Sequence, residues 1–169
     1  SANAGFIHDE ALTRFRWGFM LDGFAGSTDL ADLDGDGAHV TLTATDAVGS
    51  GYIAKMHASN VASALVVEFG WGRDEAGYAD ILGSFTVSDM TLARLAGSTW
   101  EMEVVAGSPN TVNLYVNGEL VGSATDSTYD PTGLVACNVA LKSETLIAPS
   151  AWRPRVAVVW LTEGETWSP

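Results

Sequence analysis

The stretch TVNLYVNGELVGSA, residues 111–124, leaves little choice of local structure. Val112, Leu114 and Val116 occupy every second position, so they share one face of an extended strand. Asn117-Gly118 follows them. A type I′ turn needs positive φ at both central residues, and Asn-Gly is the pair that adopts it most readily. Leu120 and Gly122 continue down the return strand. Immediately upstream, TWEMEVV (99–105) sets Trp100, Met102 and Val104 inward and Glu101 and Glu103 outward. The spacing predicts a three-strand meander.

The same period recurs along the chain. In RFRWGFML (14–21), Phe15, Trp17, Phe19 and Leu21 share one face, and Arg14, Arg16 and Met20 share the other. HVTLTAT (39–45) sets Val40, Leu42 and Ala44 against His39, Thr41, Thr43 and Thr45. ALVVEFGWG (64–72) aligns Leu65, Val67, Phe69 and Trp71. RVAVVWLTEG (155–164) is a nearly continuous apolar run, the pattern expected of a central strand. SDMTLARLAGS (88–98) suits one helical turn or a strand. Turn clusters such as DGFAGSTD, DAVGSG, AGSPN and DSTYDPTG separate these runs. Strands punctuated this often predict an all-β, two-sheet antiparallel β-sandwich of about ten to twelve strands. Residues 1–13 show no period and are expected to form an N-terminal arm, with residues 14–169 as a single β-sandwich domain.

The series Trp100, Val104, Val112, Leu114-Tyr115-Val116-Asn117-Gly118 and Leu120-Val121-Gly122-Ser123 resembles the laminin G-like and concanavalin A-like jelly rolls. That resemblance is carried by residues 99–125 and extends more loosely over 134–161. It implies a meander crossing the middle of a two-sheet sandwich. It also implies that the closing RVAVVWLTEGETW pairs near the N-terminal strand. A hairpin carries no catalytic group, so the resemblance implies a fold and not an activity.

Composition removes several function classes. The net charge is −13, from 21 acidic and 8 basic residues. Nucleic-acid binding needs a basic surface, and an anionic membrane would repel such a chain. No apolar run reaches the roughly 18 residues of a membrane-spanning helix. One cysteine, Cys137, excludes a disulfide framework within the chain; in LVACNVALK it reads as a small core residue. The N-terminus lacks the basic start and apolar core of a secretion signal, so the chain reads as a whole small protein or a mature product, with a domain cut from a larger chain as the alternative.

Candidate sites are few. Asp32, Asp34, Asp36 and Gly37 match the opening of an EF-hand-like calcium loop, but the position for the bidentate Glu is Thr43 and a strand follows where a helix belongs. Asp32, Asp34 and Asp36 are therefore candidate calcium ligands, against the alternative of an acidic turn; laminin G-like domains often bind calcium. No other cofactor is expected. Glu101 and Glu103 share a face, as paired glycosidase carboxylates do, with Glu68 as a remote third acid. The concanavalin-like hydrolases carry a longer E-x-D-x-E type motif, which WEMEVV lacks. His8, His39 and His57 form no ligand pair, and no nucleophile elbow or phosphate loop is present. Aromatics offer more: Trp71, Arg73, Asp74 and Tyr78 cluster in GWGRDEAGY, where a ring can stack on a sugar and polar neighbours can bond its hydroxyls. Phe6, Ile7 and Trp167, near the termini, are candidate assembly contacts.

The first functional expectation is a non-catalytic structural or adhesion protein on a virion or other particle surface, such as a phage-like capsid decoration, head spike or tail protein. Its partners would be other subunits, itself as a homo-oligomer, and cell-surface polysaccharide. The alternative is a stand-alone glycan-binding module. A third reading is a glycoside hydrolase using Glu101 and Glu103.

Overall fold

In the computed structural model, the described residues are 2–7, 14–25, 38–45, 50–58, 65–73, 80–87, 94, 96–127, 136–143 and 153–163. They form eleven strands: β1 (Ala2–Ile7), β2 (Arg14–Ala25), β3 (Ala38–Thr45), β4 (Ser50–Ala58), β5 (Leu65–Arg73), β6 (Asp80–Val87), β7 (Thr99–Val105), β8 (Asn110–Val116), β9 (Glu119–Asp126), β10 (Ala136–Ser143) and β11 (Arg153–Glu163). One sheet has the order β1-β10-β3-β4-β5-β6 and the other β11-β2-β7-β8-β9, with every pairing antiparallel. The chain is thus an all-β two-sheet jelly-roll sandwich. Among the described residues no helix is long and apolar enough to cross a membrane.

The core follows the alternation. Trp17, Phe19 and Leu21 of β2, Trp100, Met102 and Val104 of β7, and Val112, Leu114 and Val116 of β8 are buried from the five-stranded side. Leu42, Ala44, Tyr52, Ala54, Cys137 and Val139 are buried from the six-stranded side. Each large buried side chain of this kind contributes roughly 1.5–3 kcal/mol relative to exposure. The buried indoles keep their N–H groups bonded. Trp17 Nε1 donates across the sheets to the Asn138 carbonyl at 3.3 Å, and Trp100 Nε1 donates to Ser98 Oγ at 2.7 Å.

The β8–β9 turn has φ of 50° at Asn117 and 83° at Gly118, the positive pair that its sequence demands. Asn117 also fastens the turn to β7. Its amide donates to the Thr99 carbonyl at 2.9 Å, and its Oδ1 accepts from the Thr99 amide at 3.0 Å.

Several elements differ from the sequence reading. Residues 2–7 form an edge strand bonded to β10, where an aperiodic arm was expected. Ala, Asn and Gly carry no alternation signal, so the strand is not legible from its own residues. Among the described residues, the apolar run of β11 lies at the sheet edge and pairs with β2, where a central strand was expected. Apolarity reports a strand, not its number of bonded neighbours. Thr41 and Thr43 are as buried as Leu42 and Ala44, so β3 is covered on both faces. Leu120 is 57% exposed, because Val121 is left unpaired between Tyr115↔Leu120 and Leu114↔Gly122. This bulge sends Leu120 to the outer face and Gly122 to the inner one. A Cβ on Gly122 would come within 2.6 Å of the Phe85 ring of β6, so the inter-sheet approach there requires glycine. Within 88–98, Arg94 is helical.

Candidate functional site

Arg14 and Arg16 stand two apart on β2, and Glu101 and Glu103 stand two apart on β7. The register places Arg16 opposite Glu103 and Gly18 opposite Glu101. All four point away from the core, and the salt bridges run diagonally, Arg14 to Glu103 and Arg16 to Glu101. β8 completes the cluster with Asn113 opposite Glu103 and Tyr115 opposite Glu101. Glu103 Oε1 accepts from Arg14 Nε at 3.2 Å and Nη2 at 3.0 Å. Its Oε2 accepts from Asn113 Nδ2 and from the Tyr115 hydroxyl, both at 3.0 Å. The Arg16 guanidinium lies 3.7 Å from the Tyr115 ring centroid, a cation–π contact.

The outward placing of the β7 carboxylates does not leave Glu103 in solvent. It is 6% exposed, because Arg14, Asn113 and Tyr115 close over it. Burial pushes its pKa up, but hydrogen bonds from Asn113, Arg14 and Tyr115 and the Arg14 charge prevail and hold it below the ordinary value. The same contact raises the Tyr115 pKa, through burial and then the bond and charge of Glu103. A general acid needs a raised carboxyl pKa and an open proton. Glu103 has neither: it is held ionised, and both oxygens are engaged. Glu68 lies on β5 of the other sheet, so it cannot join the pair as a third acid.

A second polar cluster lies between the sheets and went unseen in the sequence. Tyr52 Oη donates to Asp126 Oδ2 at 3.0 Å, and Asn110 Nδ2 donates to Tyr52 Oη at 3.2 Å. Asn110 Oδ1 also accepts from the Gly107 amide at 3.1 Å. Tyr52 comes from β4, while Asn110 and Asp126 are register partners on β8 and β9. The triad ties one sheet to the other.

Of the other candidates, only some fall among the described residues. Trp71 and Arg73 end β5, opposite Tyr52 and Ser50 of β4. Trp71 also stands opposite Asp80, at the start of edge strand β6. Asp74 and Tyr78 lie outside the described residues, as do Asp32, Asp34, Asp36, His8 and Trp167. His39 pairs in register with Lys142, and His57 with Val66. Among the described residues no cluster of His, Cys, Asp and Glu could hold a metal ion. Phe6 stands opposite buried Cys137, whereas Ile7 is 85% exposed.

No protein-family model matches this chain, and no curated protein matches its sequence. Solved structures do match its fold. The legume lectin-like domain from Entamoeba histolytica superposes with a TM-score of 0.59 at 11% identity, over 98% of this chain and 81% of that one. The metal-free carbohydrate recognition domain of Emp46p gives 0.54 at 10% identity, over 96% and 76%. An alginate lyase from Pseudomonas aeruginosa gives 0.53 at 11% identity, over 94% and 68%. At these identities the likeness is one of fold.

Proposed function

We propose that this chain is a non-catalytic carbohydrate-binding module. The observation that carries the proposal is a likeness to a legume lectin-like domain and a carbohydrate recognition domain that spans nearly the whole chain. A sandwich of this kind serves as the scaffold, which leaves the strand ends and loops to carry specificity.

The proposed sugar contact is the end of β5 and the segment joining it to β6, with Trp71, Arg73, Asp74 and Tyr78. Trp71 would stack on a pyranose ring, and Arg73 and Asp74 would bond hydroxyls. A glycan panel read by thermal shift tests this. The expected result is a sugar-dependent rise in Tm that Trp71→Ala removes, read against the variant's own unliganded Tm because Trp71 stands opposite buried Tyr52. No shift with any glycan overturns it. Running the panel with calcium and with chelator separates a calcium-dependent site at Asp32, Asp34 and Asp36 from an ion-independent one.

The likeness to an alginate lyase is of similar quality, so turnover is measured on the same panel. The expectation is no product from the Glu101 and Glu103 pair, because both oxygens of Glu103 are engaged by Arg14, Asn113 and Tyr115. Release of reducing ends or unsaturated products that Glu101→Gln or Glu103→Gln abolishes would replace the binding reading with an enzymatic one. Display on a phage-like particle draws no support from these structures, and the glycan-binding reading fits them better.

A further inference from the structure

Of the chain's asparagines, Asn117 alone precedes a glycine. The backbone nitrogen that follows an asparagine can attack the side-chain amide carbon and close a five-membered imide. A side chain on the following residue obstructs that approach, and glycine has none. Both residues of this turn are exposed, and a Cβ built on Gly118 would meet nothing within 4 Å.

The other described asparagines are placed against the reaction. Asn3, Asn110, Asn113 and Asn138 precede Ala4, Thr111, Leu114 and Val139, each of which carries a Cβ. The side-chain nitrogens of Asn110 and Asn113 are held by Tyr52 and Glu103. Among the described residues nothing holds that of Asn117. Its oxygen, by contrast, accepts from the Thr99 amide at 3.0 Å. Negative charge develops on this oxygen as the Gly118 nitrogen attacks, and a backbone N–H already aimed at it stabilises that charge.

We infer that Asn117 is a self-modifying site, at which the folded chain converts asparagine to aspartate and isoaspartate without an enzyme. The Gly118 nitrogen bonds to Asn117 Cγ and loses its proton to solvent. The Cγ–Nδ2 bond breaks, and Nδ2 leaves as ammonia. Water then opens the imide at either carbonyl: cleavage at Cγ gives aspartate, and cleavage at the main-chain carbonyl gives isoaspartate. No oxidant or reductant is needed. Each conversion adds a negative charge near Glu119, in a chain whose net charge is already −13. The products differ at the clasp to β7. An aspartate carboxylate can still accept from the Thr99 amide, whereas isoaspartate lengthens the main chain of the turn by a methylene and carries the acceptor away. The turn belongs to the five-stranded sheet and β5 and β6 to the other, so the inference does not depend on the sugar-binding reading.

The test holds the purified chain in mildly alkaline buffer for weeks, then reads charge by ion exchange and the site by peptide mass. The expected result is an acidic species whose amide-to-acid mass gain maps to residue 117, formed roughly tenfold or more faster than conversion at Asn110, Asn113 or Asn138. Isomerisation at aspartate–glycine pairs such as Asp22-Gly23 changes neither mass nor charge, so it does not mimic the signal. Asn117→Gly keeps a residue pair suited to positive φ at both positions and should form no acidic species. Asn117→Asp should elute with the aspartate product. An unchanged charge, a mass gain that maps to another residue, an acidic species that persists in Asn117→Gly, or conversion seen only after unfolding in urea would each overturn the inference.

Discussion

Glu103 and Asp126 are buried to nearly the same degree, 6% and 5% exposed, yet they sit in different settings. Glu103 lies on the outer face of the five-stranded sheet, and its network contains a full counter-charge from Arg14, whose side chain is 49% exposed. Asp126 faces the other sheet and accepts from the neutral phenol of Tyr52, itself fully buried. The difference shows what a sheet face permits. On the outside, an arginine can neutralise a carboxylate while its far end stays in water. Between the sheets, the Tyr52 hydroxyl offers Asp126 a donor that carries no charge to desolvate.

The comparison predicts an order of mutational costs. Tyr52→Phe should be the largest, about 2–3 kcal/mol in urea unfolding, because it withdraws a donor from a buried carboxylate and an acceptor from Asn110. Glu103→Gln should cost about 1–2 kcal/mol, since the amide turns an N–H toward groups that are themselves donors. Arg14→Ala should cost about 1 kcal/mol or less and shrink further in high salt, because water replaces the exposed guanidinium. If Arg14→Ala proved as costly as Tyr52→Phe, the contrast between outer and inner carboxylates would collapse.

Acidity sharpens the same contrast. The folded-state pKa of Glu103 lies below its usual 4.5, so the folded protein binds this proton more weakly than the unfolded chain does. The stabilisation is present above about pH 4.5 and is lost as pH falls through the depressed value. Glu103→Gln should flatten that part of the acid unfolding curve. At the alkaline end, Tyr115 has a pKa raised above 10.0, so its contribution holds below that pH and is lost as pH climbs through the raised value. Tyr115→Phe should remove that loss.

Strands whose two faces differ in polarity were legible. β2, β3, β5, β7 and β8 alternate cleanly, and the Asn117-Gly118 turn sits where its residues demand. β1 and β6 were not visible, because small residues such as Ala4, Gly5, Gly83 and Ser84 blur the period. In β4, Tyr52, Ile53 and Ala54 are buried in succession, which also hides alternation. The network at Glu103 had a readable signal: Arg-x-Arg at 14–16 and Glu-x-Glu at 101–103 are complementary ladders, which favour adjacent antiparallel strands. Nothing local marks Tyr52, Asn110 and Asp126 as partners, because their contact is made only when one sheet closes on the other.

The pairing order also sets a timetable for the chain. The β7–β8–β9 meander closes on neighbours a few residues away. β2 must wait for β7 and then for β11, and β1 has no partner until β10 exists. During synthesis the first strands therefore emerge long before the residues that complete them, and topologies rich in such distant pairings fold slowly. Edge strand β1 is thus also among the last to be secured, and the chain is most exposed to mispairing while its C-terminal third is still being made.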